Sequence, residues 1–245
     1  MFSGMFSADA VYFQALGHSI SYAQIWSFLM KRFLAVFWLA LIVPLTACSQ
    51  TDPNEAATDI QAGKDYTILP RPVSTADPSK IEVIEVFWYG CIHCYNLEPT
   101  INTWKAALPE DVDFVGMPAI WADVMELHAK MFYANQVLGL EETLHQAIFD
   151  EMNTGRKNQM PSESAILSFV KSKGVDEEAY RRAMNSFGVN SQVQQAKSRM
   201  GAYQIRSTPQ MVVNGKYVLT TEGGHTRMLQ VVSALIEQER AALAN

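Results

Sequence analysis

The chain predicts an α/β fold whose sheet is interrupted in sequence by a block of helices, and three observations carry that expectation. Ile81 to Trp88 is apolar almost throughout, the composition of a strand covered on both faces. Gln210–Val213 and Lys216–Leu219 are two β-rich runs joined by Asn214-Gly215, a strong hairpin signal. Between about Pro118 and Ile205 the spacing of apolar residues is helical only.

The elements follow in order. Tyr66-Thr67-Ile68-Leu69 is a short strand closed off by Pro70 and Pro72, and Ile81 to Trp88 is the central strand. Helical spacing runs from Cys91 to about Leu108, with Pro99 inside it removing one backbone hydrogen bond and favouring a kink. Val112 to Met117 is the next strand. In the helical block, Met125, His128, Met131, Phe132 and Val137 recur at helical spacing before Gly139. Ser162 is an N-cap for a helix ending at Gly174, and Asp176 for one ending near Gly188. A last helix covers about Thr226 to Leu243. Repeats and a phosphate-binding glycine loop are absent from the sequence.

Ahead of this lies a targeting segment. Met30-Lys31-Arg32 is a basic start, Phe33 to Val43 an apolar run, and Pro44-Leu45-Thr46-Ala47-Cys48 a small-residue cut site, together the pattern of a secretory signal. The run is too short for an ordinary membrane-spanning helix of about 20 residues. Leu45-Thr46-Ala47-Cys48 resembles the lipobox of bacterial lipoproteins, which makes Cys48 a candidate for lipidation. An ordinary signal peptide ending near a cysteine is the other reading. Residues 1–47 are thus read as an upstream extension and lipoprotein signal with translation starting at Met30, and 48–63, polar and small, as a tether.

The 245 residues are 49% hydrophobic and 18% charged, which excludes a disordered chain. The net charge of −6 is scattered without a basic cluster, so nucleic acid is not an expected partner. Three cysteines, at positions 48, 91 and 94, are too few for a disulfide-rich scaffold.

Cys91-Ile92-His93-Cys94, at the junction of the central strand and a helix, is the chemically informative motif. A CxxC can be half of a zinc site, a structural disulfide, a haem attachment or a redox pair. Zinc needs about four ligands, and no second cysteine pair exists. A structural disulfide gains most by closing a long loop, whereas this one closes almost nothing. The c-type haem motif requires histidine after the second cysteine, where Tyr95 stands. In the redox reading Cys91 sits at the helix N-terminus, where unpaired N–H groups and the positive end of the helix dipole stabilise a thiolate. Cys94, one turn further in, is the buried resolving thiol. His93 is placed to put a polarised imidazole beside the Cys91 sulfur, or else is a solvated first-turn histidine. Each unit by which the Cys91 pKa falls stabilises the reduced form by about 1.4 kcal/mol, roughly 30 mV for a two-electron couple. The disulfide thereby becomes a better oxidant.

Gly63 to Leu69, Glu85 to Tyr95 and Ser207 to Tyr217 together resemble the DsbA family of thiol:disulfide interchange proteins. The resemblance implies a thioredoxin-like fold, residues 64–117 and 206–245, with an inserted all-helical domain, residues 118–205. It implies that Pro209 is a cis-proline lying against the active-site sulfurs and that Thr208 offers backbone groups to an extended substrate segment. On sequence alone Pro209 also reads as a plain turn proline, since only about 5–6% of X–Pro bonds are cis. Glu85 matches a buried acid beneath the redox pair, a proton acceptor for Cys94; the alternative is an edge-facing charge on a strand. The motif departs from the family's commonest pattern at Ile92, where proline is more usual. Ile92 adds apolar surface and a free backbone N–H, and so bears on the potential and on the fit to a reoxidising partner.

The chain is therefore read as a periplasmic disulfide oxidase, lipid-anchored through Cys48. It would act on reduced exported proteins, need no cofactor or resident metal, and be reoxidised by a quinone-coupled membrane partner of the DsbB type. An isomerase or reductase on the same fold stays open, as does a lipoprotein binding a metal through Cys91, Cys94 and a histidine.

Overall fold

A computed structural model describes residues 60–154, 159–220 and 222–243, so the signal segment, the tether up to residue 59 and Cys48 lie outside the described residues. Three strands and a helix come first: β1 (Tyr66–Ile68), β2 (Ile81–Phe87), α1 (Ile92–Lys105) and β3 (Val112–Pro118). Five helices follow, α2 (Asp123–Leu138), α3 (Glu141–Asn153), α4 (Glu163–Ser172), α5 (Glu177–Met184) and α6 (Phe187–Ala202). The chain then returns to the sheet through β4 (Gln210–Val213) and β5 (Tyr217–Leu219) and closes with α7 (Gly224–Leu243).

The strand order is β1-β5-β4-β2-β3. β2 pairs parallel with β3 and antiparallel with β4, which explains why all seven of its residues are buried. Its alternation sorts the core into two layers. Ile81 and Val83 pack with Leu97 and Ile101 of α1 and with Met228, Val232 and Leu235 of α7. Ile84 and Val86 face the helical block, among Phe132, Phe149 and Val193. The same parity directs the two acids of β2. Glu82 points to the helical block, where Arg199 of α6 pairs with it, and Glu85 points to the α1 side.

The expected caps are present for local reasons. Ser162 accepts from Ala165 N, Asp176 accepts from Ala179 N, and Gly139 ends α2 in the left-handed region at φ 65°. One expectation is corrected. The helix capped by Asp176 stops at Met184, and Gly188 lies in the first turn of α6. Ser186 accepts from Val189 N and so caps a new helix at that point. α1 runs from Ile92 to Lys105 with Pro99 inside it.

The hairpin between β4 and β5 turns on Asn214 (φ 48°) and Gly215 (φ 62°), both left-handed as a two-residue type I′ turn requires. A Cβ at Gly215 would lie 1.9 Å from the Val73 carbonyl oxygen, whose residue donates its N–H to Gly215 O at 2.9 Å. Buried Glu239 of α7 accepts from Asn214, Lys216 and Tyr217 and fixes the hairpin against the last helix. Among the described residues no helix is long and apolar enough to cross a membrane.

Candidate active site

Cys91 is the N-cap residue of α1. Its backbone is extended (φ −89°, ψ 111°), and its Sγ accepts from Cys94 N at 3.3 Å, the role a serine oxygen plays at an ordinary cap. Cys94 is fully buried behind it, and Cys91 is partly buried. The cap arises because Cys91 closes the turn that leaves β2: its own N–H donates to Trp88 O at 2.9 Å. The first cysteine is thus presented and the second withheld, as one turn of helix dictates.

The second wall comes from the far end of the chain. The Cys91 thiol lies 3.4 Å from the Thr208 carbonyl oxygen, to which it donates. The Thr208–Pro209 peptide bond is cis, so Pro209 is not a plain turn proline. Ser207, Thr208 and Pro209, with His93, His225 and Met228, line a cavity of about 280 Å³ beside the cysteine.

The electrostatics separate the two sulfurs. Hydrogen bonding with the Cys94 thiol, then with the Thr208 side chain and the backbone N–H groups of Cys94 and His93, outweighs partial burial and lowers the Cys91 pKa to about 5. Burial, reinforced by the neighbouring Cys91 sulfur, pushes the Cys94 thiol far up. The contribution of His93 to Cys91 comes through its backbone N–H, while the residue is exposed and lines the cavity. Ile92 is also exposed, 46% of its surface open to solvent. Glu85 is buried on a central strand, not at an edge. Burial first, then the facing Glu98, raises its pKa to about 8, and its Oε1 has no hydrogen-bond partner among the described residues. Among the described residues, no group of three or more His, Cys, Asp or Glu side chains is arranged to hold a metal ion.

The chain is similar in sequence and fold to known proteins. Residues 100–235 match the family model described as a DSBA-like thioredoxin domain. The chain is 46% identical over 187 residues to the thiol:disulfide interchange protein DsbA of Azotobacter vinelandii, covering 75% of this chain and 86% of that protein. The chain belongs to the DsbA family. The crystal structure of Pseudomonas aeruginosa DsbA matches with a TM-score of 0.73 at 40% identity, over 76% of this chain and 98% of that one. The oxidoreductase DsbA from Xylella fastidiosa matches with a TM-score of 0.69 at 28% identity, over 74% and 98%. This DsbA-family chain is accordingly a thiol:disulfide oxidoreductase on a thioredoxin-like fold.

Around the motif of this DsbA-family site stand residues that sequence reading did not assign to it. Glu98 follows Cys94 by one turn of α1 and is 2% exposed. His145 of α3 faces Glu98 and Tyr89. Trp88 Nε1 donates to His128 Nδ1 at 2.9 Å, and His128 Nε2 contacts Met160 O, so this buried ring holds the turn before the motif. The i,i+4 relation of Cys94 and Glu98 was the one signal available for any of these; the histidine contacts are tertiary and leave no local pattern.

Proposed function

We propose that the chain introduces disulfide bonds into exported proteins by dithiol–disulfide exchange through Cys91 and Cys94. A substrate thiolate attacks Cys91 Sγ of the oxidised pair. The Cys91–Cys94 bond breaks, its electron pair leaves on Cys94, and Glu85 supplies the proton that buried sulfur needs. A second substrate thiolate then attacks the substrate sulfur of the mixed disulfide, closes the substrate's own bond and expels Cys91 as a thiolate. Two electrons have passed from substrate to enzyme. Thr208 and Pro209 hold an extended substrate segment across the pair by strand addition, and Ile92 and His93 form the exposed rim that a partner meets.

The observation that carries this reading is the asymmetry of the two sulfurs: Cys91 lowered to about 5 at a helix cap, Cys94 raised by burial. A low proton affinity makes Cys91 a good leaving group and the disulfide an oxidant. Cys91→Ser is expected to abolish oxidation of a reduced test peptide; retained activity sinks the mechanism. In redox buffer the pair should be reduced more readily than glutathione disulfide, the opposite result pointing to a reductase.

The setting we infer is the periplasm, with the enzyme lipid-anchored through Cys48 and reoxidised by a quinone-coupled membrane oxidase of the DsbB type. The support is the basic, apolar and Leu45-Thr46-Ala47-Cys48 pattern ahead of the folded region. Intact mass of membrane-extracted protein should show a diacylated or triacylated Cys48 as the first residue. An unmodified cysteine there ends the anchoring proposal.

A further inference from the structure

One wall of the cavity beside Cys91 is the first turn of α7, which contributes Gly224, His225 and Met228 next to Ser207, Thr208 and Pro209. The chain enters that turn through two successive glycines in the left-handed region, Gly223 (φ 83°) and Gly224 (φ 77°). Glycine adopts such a backbone without strain, but it does little of itself to hold one direction. The apolar anchors of the helix come later. Met228 and Leu229 are buried in the core, whereas Gly224 and Thr226 are exposed and His225 is half-buried. What steadies the turn ahead of those anchors must come from another element.

It comes from the segment that leads into β1. Arg227, in the first turn of α7, donates twice to the Asp65 carboxylate, Nε to Oδ1 at 2.9 Å and Nη2 to Oδ2 at 3.0 Å. The two residues are 162 positions apart in sequence. Asp65 is buried and is itself fixed from three directions. Its N–H donates to Gln61 O at 2.9 Å, Gln61 N–H donates to its Oδ2 at 2.9 Å, and Thr220 N–H donates to its carbonyl oxygen at 2.9 Å. The stem of Arg227 lies so close to the entry turn that a Cβ at Gly223 would sit 2.9 Å from Arg227 Cβ and Cγ. A guanidinium forked onto a carboxylate fixes orientation as well as distance, and this pair is largely shielded from water.

We propose that Asp65 and Arg227 are positioning residues for substrate binding: their ion pair clasps the first turn of α7 and so fixes the wall of the cavity in which an extended substrate segment lies beside Cys91. Neither residue lines that cavity. They act through His225 and Met228, which flank Arg227 on the helix. The inference rests on the cavity at Thr208 and Pro209 receiving the substrate segment. Loss of the pair leaves both cysteines, the cap of α1 and the Thr208 carbonyl in place. The wall is then no longer held ready, and a bound segment has to order it. Affinity for an extended thiol substrate falls while the exchange step at Cys91 keeps its rate. A small thiol that does not span the cavity meets an unaltered disulfide.

The test mixes the oxidised full chain rapidly with two reductants, a reduced dithiol peptide in extended form and dithiothreitol. Asp65→Asn should raise the half-saturating peptide concentration roughly threefold or more, with the maximal rate and the dithiothreitol rate at wild-type values. Arg227→Gln should do the same. The double variant should be no worse than either single one, because the pair acts as a unit. An unmoved half-saturating concentration in folded Asp65→Asn, equal slowing with both reductants, or additive effects in the double variant would overturn the proposal. Should Asp65→Asn fail to fold, Arg227→Gln decides alone. His225→Trp, which fills the cavity from the same turn, separates the two layers of inference. If it too leaves peptide saturation unchanged, the cavity does not receive substrate, and the binding role of Thr208 and Pro209 falls together with the clasp. If it weakens peptide saturation while the Asp65 and Arg227 variants do not, only the role proposed here is removed.

Discussion

Two sulfurs three residues apart behave as opposites because one helical turn separates a cap from a core. At Cys91 the donors of a helix N-terminus converge on sulfur, so charge is stabilised there; at Cys94 the same helix has carried the side chain out of reach of water. Glu85 completes the asymmetry. Its folded pKa of about 8 lies above the ordinary carboxyl value of 4.5, so the folded state keeps a proton that the unfolded chain releases. Stability should therefore fall as pH rises from about 4.5 to about 8 on account of this one group. Glu85→Gln removes that dependence. The variant is expected to gain stability over the wild type by a margin that widens across this window, measured by urea unfolding at several pH values. A margin that is constant, or that narrows with pH, contradicts the assignment.

At the scale of elements, the hairpin makes the sharpest demand on a single residue. Gly215 needs both a left-handed backbone and the absence of a Cβ against Val73 O. Gly215→Ala should cost about 2 kcal/mol or more, seen as a lowered denaturation midpoint with the redox pair still reactive. The Asn214-Gly215 dipeptide announced this turn in sequence because its requirement is local. The same holds for Ser162 and Asp176 as caps and for the apolar run of β2. What was not legible depended on tertiary contact. Ser186 reads as part of the last turn of a helix ending near Gly188 until Val189 N is seen to donate to it, and for that reason the α5–α6 break was placed too late. α3 starts without a side-chain cap hydrogen bond, and it carries His145 to α1 across the fold. Local pattern contains no trace of that meeting. Cys91 and Cys94 were readable because their spacing is their chemistry; Glu85 needed a family resemblance to separate a buried acid from an edge charge.

At the scale of the whole molecule, β2 divides the core and sends one acid to each side. Glu85 faces α1, the helix that carries the cysteine motif, whereas Glu82 joins the sheet to the helical block through Arg199, which Tyr203 also braces. Glu82 is 2% exposed, so removing its partner strands a buried charge. Arg199→Met should cost about 3 kcal/mol, and adding Glu82→Leu should recover most of it. A single-variant loss well under 1 kcal/mol in chemical denaturation would show that the pair is solvated and not structural. The proposed active site lies where two distant stretches meet: Cys91 and the Thr208 carbonyl are 117 residues apart in sequence. A polypeptide that emerges N-terminus first therefore exposes its two thiols long before the segment that walls them in has arrived. During that interval Cys91 and Cys94 are ordinary neighbours on an unfinished chain, open to any passing disulfide. The last sixth of the polypeptide closes the environment around them, and maturation of the catalyst is timed by the arrival of its tail.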